Sequence, residues 1–337
     1  LFFIQLHYLK LHFKREFSQP KTQLIFMTWT AERESLMTTQ GMNPSKVFAD
    51  LYPVLYAASI PIDGGYARMS EICATLAEAY VGFGGKSVLD IGCGFGTTSV
   101  AIAAYAPERI VAMDNSCPMI ELLDFVLLGD RSIGAWLEQR GAPTLLEEYF
   151  APTLQYLEGM RRTFRQGVFQ RRGGKFISLV GDGLHAAEYT CALGRVDLVI
   201  GNNYLHWPVN QRIAALKKET PDLTADSALV EACRDALQPL AGLLPRGGIA
   251  VLMEPSDFVI FDDDPRREAD LDQHCLVAHP LYVRFHEAFN EALKREYGIE
   301  RSVPKRSPLF RLSELPGIVS VGGFHLRGVH HIEWTYP

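Results

Sequence analysis

The chain has 337 residues, of which 47% are hydrophobic and 21% are charged, a composition typical of a globular protein with one large domain or two small ones. The net charge of −6 argues against a nucleic-acid substrate, because phosphate binding needs a basic surface. No apolar run is long enough to span a bilayer.

The spacing of the cysteines indicates the redox state of the cellular compartment. Six of them are scattered along the chain with no C-x-x-C pair, at Cys73, Cys93, Cys117, Cys191, Cys233 and Cys275. Structural disulfides and zinc sites usually show closer or more regular spacing. We therefore expect a reducing, cytoplasmic location and no metal site.

Residues 1 to 26 mix large apolar side chains with basic ones. A basic amphipathic membrane or targeting segment is one interpretation. The other is an extension upstream of a start at Met27, disordered or loosely packed. We favour the extension, because the segment lacks a signal-peptide cleavage pattern and its single arginine, Arg15, is unusual for a transit peptide.

Residues 45 to 80 show helical periodicity. Apolar side chains recur at helical spacing over residues 47–55, and Pro53 and Pro61 predict breaks in the helix. A second helix is predicted over about residues 70–80. These N-terminal lid helices lead into the first strand.

Strands and helices then alternate through a core at residues 86–255, which predicts an α/β fold with a doubly wound, mostly parallel sheet of the seven-stranded type. The predicted strands are Ser87 to Ile91, Arg109 to Asp114, Lys175 to Val180, Val196 to Gly201, and Gly248 to Glu254. Their near-continuous apolar runs are typical of strands that are buried on both faces.

Two connections are too long for simple crossovers. Residues 118–174 and residues 256–312 each contain helical patterns beyond what a crossover needs. Long insertions at the ligand-binding edge of a sheet often form lids or substrate pockets. We therefore expect substrate recognition in these insertions and in the lid helices.

A glycine-rich turn follows the first predicted strand. Gly92, Gly94 and Gly96 alternate with other residues, and Thr97 stands where a third glycine would complete the G-x-G-x-x-G pattern of dinucleotide enzymes. Asp90 lies just ahead of the turn. Because a carboxylate repels phosphate, an ammonium group is its better partner.

The run from Asp90 to Gly96, which includes Cys93, resembles motif I of the class I S-adenosylmethionine-dependent methyltransferases. In that family the glycines pass under the methionine part of the cofactor, and the acid helps to bind its amino group. The resemblance covers about residues 70–255. It implies a Rossmann-like methyltransferase fold, S-adenosylmethionine as cofactor, and a single methyltransferase domain over residues 27–337.

Polar residues at the other strand ends extend the resemblance. Asp114 ends the second strand, where a carboxylate can accept two hydrogen bonds from a ribose diol. The resemblance implies that role for Asp114, places Asn115 near the adenine, and makes Asp182 the acceptor of the adenine amino group. It also implies that Gly183 lets the base lie close to the backbone and that Asn202 closes over the sulfonium and ribose side.

His206 is the best-placed general base, because it follows the fourth strand and its usual pKa suits deprotonating an acid, phenol or amine. Tyr204 and Trp207 are candidates for an aromatic wall beside the sulfonium, where cation–π attraction operates. Core packing explains all three side chains equally well, so both interpretations stay open.

The expected activity is methyl transfer to oxygen or nitrogen of a small molecule. The residues after the fourth strand, Asn202 to Leu205, lack the prolines of nucleic-acid amine methyltransferases. A basic run over residues 161–175 leaves open a protein or carrier-bound substrate, although a solvated helix face is the simpler explanation. A non-catalytic, methyltransferase-like binding protein is a further alternative. The sequence does not determine the oligomeric state.

The C-terminal strand region, residues 318–337, departs from the family. The resemblance implies a sixth strand and a seventh, antiparallel one between Phe324 and Tyr336. Because about 13 residues are available for both, either the hairpin is short or the seventh strand is curtailed.

Overall fold

A computed structural model describes residues 2–8, 44–63, 65–255, 259–260, 280–301 and 310–334. Its centre is a sheet of seven strands in the order β4-β3-β2-β5-β6-β1-β9. The strands are β1 Phe2–Tyr8, β2 Ser87–Ile91, β3 Arg109–Asp114, β4 Lys175–Val180, β5 Leu198–Asn202, β6 Ile249–Pro255 and β9 Gly328–Trp334. Two further short strands, β7 Val259–Ile260 and β8 Phe310–Arg311, pair with each other.

Helices connect these strands. Before the sheet core come α1 Pro44–Asp63 and α2 Gly65–Val81. The first half of the core adds α3 Thr97–Ala103, α4 Cys117–Leu127, α5 Ile133–Gln139, α6 Ala142–Leu146, α7 Phe150–Gln166 and α8 Val168–Arg171. The second half adds α9 Thr190–Leu193, α10 His206–Glu219, α11 Ala225–Leu243, α12 Pro280–Tyr297 and α13 Leu315–Val321.

The central strands β2, β3 and β5 are buried on both faces, and their successive side chains point to opposite sides of the sheet. Val88 and Ile110 belong to a core shared with α1, α2, α4 and α7. Leu89 and Val111, each the next residue along, belong to a second core shared with α10, α11 and α13. This arrangement confirms the predicted fold class, a doubly wound parallel sheet with helices on both faces.

The outer strands differ from the expected arrangement in two respects. Each strand pairing in the described sheet is parallel, and residues 328–334 form the single strand β9, so the described part of the C-terminal region contains no antiparallel hairpin. Instead, residues 2–8, which we expected to be part of a disordered or loosely packed extension, form β1. The backbone of β1 pairs with β6 on one side and with β9 on the other, and thereby fills the place between them.

The two N-terminal helices differ from prediction in one respect. α1 continues through Pro53 and Pro61, where breaks were predicted. Proline removes a helical hydrogen bond, yet this helix buries Leu51, Val54 and Leu55, so tertiary packing offsets that cost.

Among the described helices, none is both long enough and apolar enough to cross a membrane.

The insertions pack around α1. α7, from the first insertion, contacts α1 and α4, and α12, from the second, contacts α1 and α6. The helix α12 agrees with the helical pattern expected within residues 256–312. Whether these helices recognise a substrate remains a prediction.

Candidate functional site

The glycine turn after β2 adopts backbone conformations that favour glycine. Gly92, Gly94 and Gly96 have φ values of 66°, 54° and 93°, all in the left-handed region. The amides of Gly92 and Cys93 donate to the Met113 carbonyl, at 2.8 and 3.1 Å, which fixes the turn against the end of β3. The turn therefore has the shape that its sequence predicts.

Asp114 ties the turn to β3. Its Oδ2 accepts a 2.9 Å hydrogen bond from the Gly94 amide, and its Oδ1 accepts a 2.8 Å bond from the Ser116 amide. Burial raises the pKa of the Asp114 carboxyl, while the two amides oppose that shift. Asn115, the next residue, is exposed. Each Asp114 oxygen still has acceptor capacity for a ligand hydroxyl.

Asp90 is a buried carboxylate at the same edge of the sheet. Its side chain is 1% exposed, and its Oδ2 accepts a 2.6 Å hydrogen bond from Ser99 Oγ. Its Oδ1 has no hydrogen-bond partner among the described residues. Burial, and then the charge of Asp114, raises the pKa of Asp90 to about 7. A buried acceptor without a donor is costly, so this oxygen is suited to a cationic ligand group.

Asn202 joins three elements at the end of β5. Its Nδ2 donates to Ser70 Oγ on α2 at 3.0 Å and to Thr98 Oγ1 on α3 at 3.2 Å. The two hydroxyls lie 3.1 Å apart and also hydrogen-bond each other. The Asn202 Oδ1 is buried with no partner in the described structure, which leaves a second acceptor near the turn.

A small pocket lies over the turn. Its lining comes from α1, α2, the turn, α3 and β5, and consists of Tyr56, Ile60, Ser70, Gly92, Cys93, Thr97, Thr98 and Asn202. The Tyr56 ring contacts Phe95 edge to face at 5.8 Å between ring centroids. A Cβ on Gly94 would stand 3.4 Å from the same tyrosine. Tyr56 and Ser70 were missed from sequence, because nothing in their local pattern distinguishes them from other helical residues.

Asp182 and Gly183 have a local role in the structure. The Asp182 Oδ1 accepts a 2.9 Å hydrogen bond from the Leu184 amide and thereby caps the short 3₁₀ segment Gly183–Tyr189. Neither residue is among those that line the pocket. Their predicted contacts with an adenine remain untested.

Tyr204 lies beneath the turn. Its side chain is 7% exposed, and its ring occupies the space that side chains at Gly92, Gly183 and Gly201 would need. A Cβ on Gly92 would stand 2.6 Å from Tyr204 Cδ2, well inside van der Waals contact. Burial raises the pKa of the Tyr204 phenol. Gly183 therefore makes room for Tyr204, and packing accounts for a residue that we considered for an aromatic wall beside the sulfonium.

His206 is buried beside a carboxylate that the sequence analysis did not single out. The His206 side chain is 3% exposed, and its Nδ1 lies 2.7 Å from Glu254 Oε2. The Glu254 Oε1 accepts hydrogen bonds from the amides of Tyr204 and Leu205. The signal was present in the sequence, because Glu254 lies within one residue of the end of a strand next to β5, as Asp90 and Asp114 do in their strands. His206 does not line the pocket over the turn.

Two residues of the basic run over residues 161–175 have a structural role. Arg161 and Arg165 lie one turn apart on α7 and donate to backbone carbonyls at the end of α4. Arg162, between them, is exposed. No group of three or more potential metal ligands occurs within the described residues.

Comparison with known proteins adds a partial likeness of fold. No protein-family model matches the chain, and no curated protein matches it. Solved structures that match include the YcgJ protein from Bacillus subtilis, with 14% identity and a TM-score of 0.32 over 74% of this chain and 67% of that one. The CcbJ methyltransferase from Streptomyces caelestis matches with 16% identity and a TM-score of 0.26 over 54% and 47%.

A third match is to the precorrin 8w decarboxylase from Methanobacterium thermoautotrophicum, with 15% identity and a TM-score of 0.26 over 53% of this chain and 60% of that one. The chain spans only about half the length of several structures that it matches, 44% and 50% in two cases. At these scores the likeness carries no functional argument, so function rests on the site itself.

Proposed function

We propose that this protein binds S-adenosylmethionine at the glycine turn and transfers its methyl group to oxygen or nitrogen of a small molecule. The observation that carries the proposal is the convergence, at one edge of the sheet, of a left-handed glycine turn, Asp114 bound to that turn, and the buried acceptor oxygens of Asp90 and Asn202.

The residues at this edge fit the chemistry of that cofactor. The glycines leave the backbone open to close approach. Asp114 keeps acceptor capacity for the two hydroxyls of a ribose, and the unpartnered Asp90 oxygen matches an ammonium group. Phosphate would be repelled by the same carboxylates, which disfavours a dinucleotide here.

When bound, the cofactor supplies an electrophilic methyl group, so the protein mainly has to align an acceptor with it. Tyr56 and Ser70, contributed by α1 and α2, border the pocket and are suited to exclude water and to shape the acceptor site. His206 is the group proposed to take a proton from the acceptor, which requires that an acceptor site form beside it. A cytoplasmic location belongs to the same proposal.

Calorimetry with S-adenosylmethionine tests the cofactor assignment. We expect binding by the unaltered protein, and we expect NADPH not to compete. Asp114→Ala should abolish binding, because it removes both the ligand acceptor and the anchor of the turn. The matched control is Asp222→Ala, at an exposed turn position, which should bind like the unaltered protein. If S-adenosylmethionine does not bind, or if it binds equally well to the Asp114 variant, the proposal is wrong.

Labelled-methyl transfer to a metabolite extract separates catalysis from binding alone. An enzyme should label a small molecule, and His206→Ala should reduce that labelling far more than it reduces cofactor affinity. Binding without labelled product would instead support the non-catalytic alternative. Arg161 and Arg165 of the basic run are engaged with backbone carbonyls, so these two residues are not offered to a carrier-bound substrate.

A further inference from the structure

We propose that Glu254 is a positioning residue that sets the tautomer of His206, with the proton on Nδ1 and the lone pair on Nε2. The catalytic importance of that tautomer depends on the proposed function, in which His206 takes a proton from the methyl acceptor. The tautomer itself follows from contacts in the folded chain and can be measured without a substrate.

The first step is that Glu254 and His206 are both buried. Glu254 has no exposed surface, and His206 is 2% exposed. A carboxylate removed from water needs donors to offset its lost hydration. Glu254 has two backbone donors, the Tyr204 amide at 3.0 Å and the Leu205 amide at 2.6 Å, and the His206 Nδ1 lies 2.7 Å from its Oε2.

The second step is the direction of the hydrogen bond. Two backbone amides donate to Oε1, so the Glu254 carboxyl already acts as an acceptor, and its Oε2 faces the Nδ1 of His206. The site also lies at the start of α10, where the helix dipole favours negative charge. An ionised carboxylate only accepts, so the Nδ1 of His206 must donate to Oε2. In a neutral imidazole the other nitrogen, Nε2, then carries the lone pair.

The third step is the position of the ring. The Asn203 amide donates to the Met253 carbonyl at 2.7 Å, next to the Glu254 contacts, so the chain between β5 and α10 is bound to the end of β6. Asn203 itself has a φ of 56°, which turns the chain sharply at that point. Glu254 thus fixes both the backbone that leads to His206 and the protonation of its ring.

Glu254→Gln tests this directly, because it keeps one oxygen and replaces the other with an amide donor. The oxygen can still accept from Tyr204 and Leu205, while the new NH₂ group faces Nδ1 of His206. A neutral ring must then accept at Nδ1 and carry its proton on Nε2. Long-range proton–nitrogen NMR spectra of histidine-labelled protein at neutral pH report the tautomer, and His206→Gln assigns the signal.

The unaltered protein should show His206 protonated on Nδ1 alone, and Glu254→Gln should show it protonated on Nε2. Glu254→Asp is the conservative control, since it remains an acceptor and should keep the Nδ1 proton. If Glu254→Gln does not fold, the unaltered protein and the aspartate variant still decide the question. A ring that is protonated on Nε2 or on both nitrogens in the unaltered protein, or that is unchanged in the glutamine variant, would overturn the inference.

Calorimetry on the same variants distinguishes the two proposals. Glu254 does not line the pocket, so Glu254→Gln should change the affinity for S-adenosylmethionine by less than about threefold. A larger loss of affinity would mean that Glu254 holds the cofactor site as a whole, and it would overturn the specific role in positioning His206. If the unaltered protein binds no S-adenosylmethionine, the proposed function is wrong while the tautomer result still stands.

Discussion

The phenol oxygen of Tyr204 lies in the space that a Cβ on Gly183 would fill. The two residues come from different strand ends, yet each determines what the other can be. A glycine at 183 is needed because a tyrosine at 204 is buried beneath the glycine turn. This contact explains why residue 183 is a glycine, and the explanation does not require a bound ligand.

We predict that Gly183→Ala destabilises the protein by about 1–3 kcal/mol, the usual cost of overpacking. Tyr204→Phe removes the atom closest to the new Cβ and should recover part of that loss in the double variant. Recovery will be incomplete, because the ring carbon Cζ would still lie 2.8 Å from the Cβ. Urea unfolding of the two single variants and of the double variant measures the coupling between the sites.

Gly84→Ala provides the matched control for this experiment. A Cβ there would meet nothing within 4 Å, and the backbone is outside the left-handed region. It should leave stability within about 0.5 kcal/mol of the unaltered protein or raise it slightly. Equal losses at positions 84 and 183 would show that contact with Tyr204 is not the cause.

The contribution of Asp90 to the free energy of unfolding should fall as the pH rises. Burial raises its pKa in the folded state to about 7 from the ordinary 3.8, so the folded protein holds this proton more tightly than the unfolded chain does. The contribution of Asp90 is therefore most favourable below about pH 4 and declines until about pH 7. Asp90→Asn cannot ionise but can still accept from Ser99.

The difference in unfolding free energy between Asp90→Asn and the unaltered protein should increase with pH across that window, by at most about 1.4 kcal/mol per pH unit. Urea unfolding at several pH values measures it. Gly84→Ala, which changes no titratable group, should instead follow the pH dependence of the unaltered protein. A difference that stays constant with pH would show that Asp90 does not titrate in this range.

Arg161 should stabilise the end of α4. Its guanidinium donates to the carbonyls of Phe125, Val126 and Arg131, at 2.6 to 3.0 Å. Arg161→Ala should cost about 1–3 kcal/mol, as expected for hydrogen bonds from a charged donor. Arg161→Lys should recover only part of that loss, because an ammonium cannot reproduce the guanidinium fork.

The neighbouring Arg162 is the natural control. It is exposed on the same helix, and Arg162→Ala should change stability by no more than about 0.5 kcal/mol. Thermal unfolding of the three variants gives the comparison. Similar losses for Arg161→Ala and Arg162→Ala would mean that the capping of α4 contributes little.

At position 203, we expect a glycine variant to be more stable than an alanine variant, the reverse of the order found in helices. Its φ of 56° lies in the left-handed region, where a Cβ costs about 1–2 kcal/mol. Both Asn203→Ala and Asn203→Gly remove the side-chain amide, so their difference reports the effect of a Cβ at this backbone conformation. The glycine variant should be more stable than the alanine variant by about 1 kcal/mol.

At Gly159, inside α7, we expect the opposite order, with alanine more stable than glycine. A Cβ there would meet nothing within 4 Å, and alanine in a helix interior is favoured over glycine by about 0.5–1 kcal/mol. Chemical unfolding of both pairs should therefore give opposite signs. The same sign at both positions would contradict the assigned backbone conformation of Asn203.

Local patterns were enough to predict much of the sheet and the turn. Strands β2 to β6 and the turn at Gly92 to Gly96 are encoded by apolar runs and glycine spacing within a few residues. The approach of Asp114 to Gly94 follows because neighbouring parallel strands end at the same edge.

Features that depend on distant partners could not be predicted in this way. Glu254 binds residues about fifty positions earlier, and Arg161 binds carbonyls about thirty-five positions earlier. Their side-chain types were visible in the sequence, but their partners follow only from the packing of whole elements. The breaks predicted at Pro53 and Pro61 failed for the same reason, because burial of α1 outweighs local propensity.

The place of β1 in the sheet has a consequence for how this chain folds. Its neighbours are residues 251–255 and 328–334, so β1 can pair only after these later segments of the chain exist. Contacts of such long sequence separation form slowly, because the entropy of loop closure must be overcome first. Until then the outer edge of β6 is an unpaired strand, which is a template for association with other chains. Completion of the sheet at this edge is therefore a late step, and aggregation competes with it.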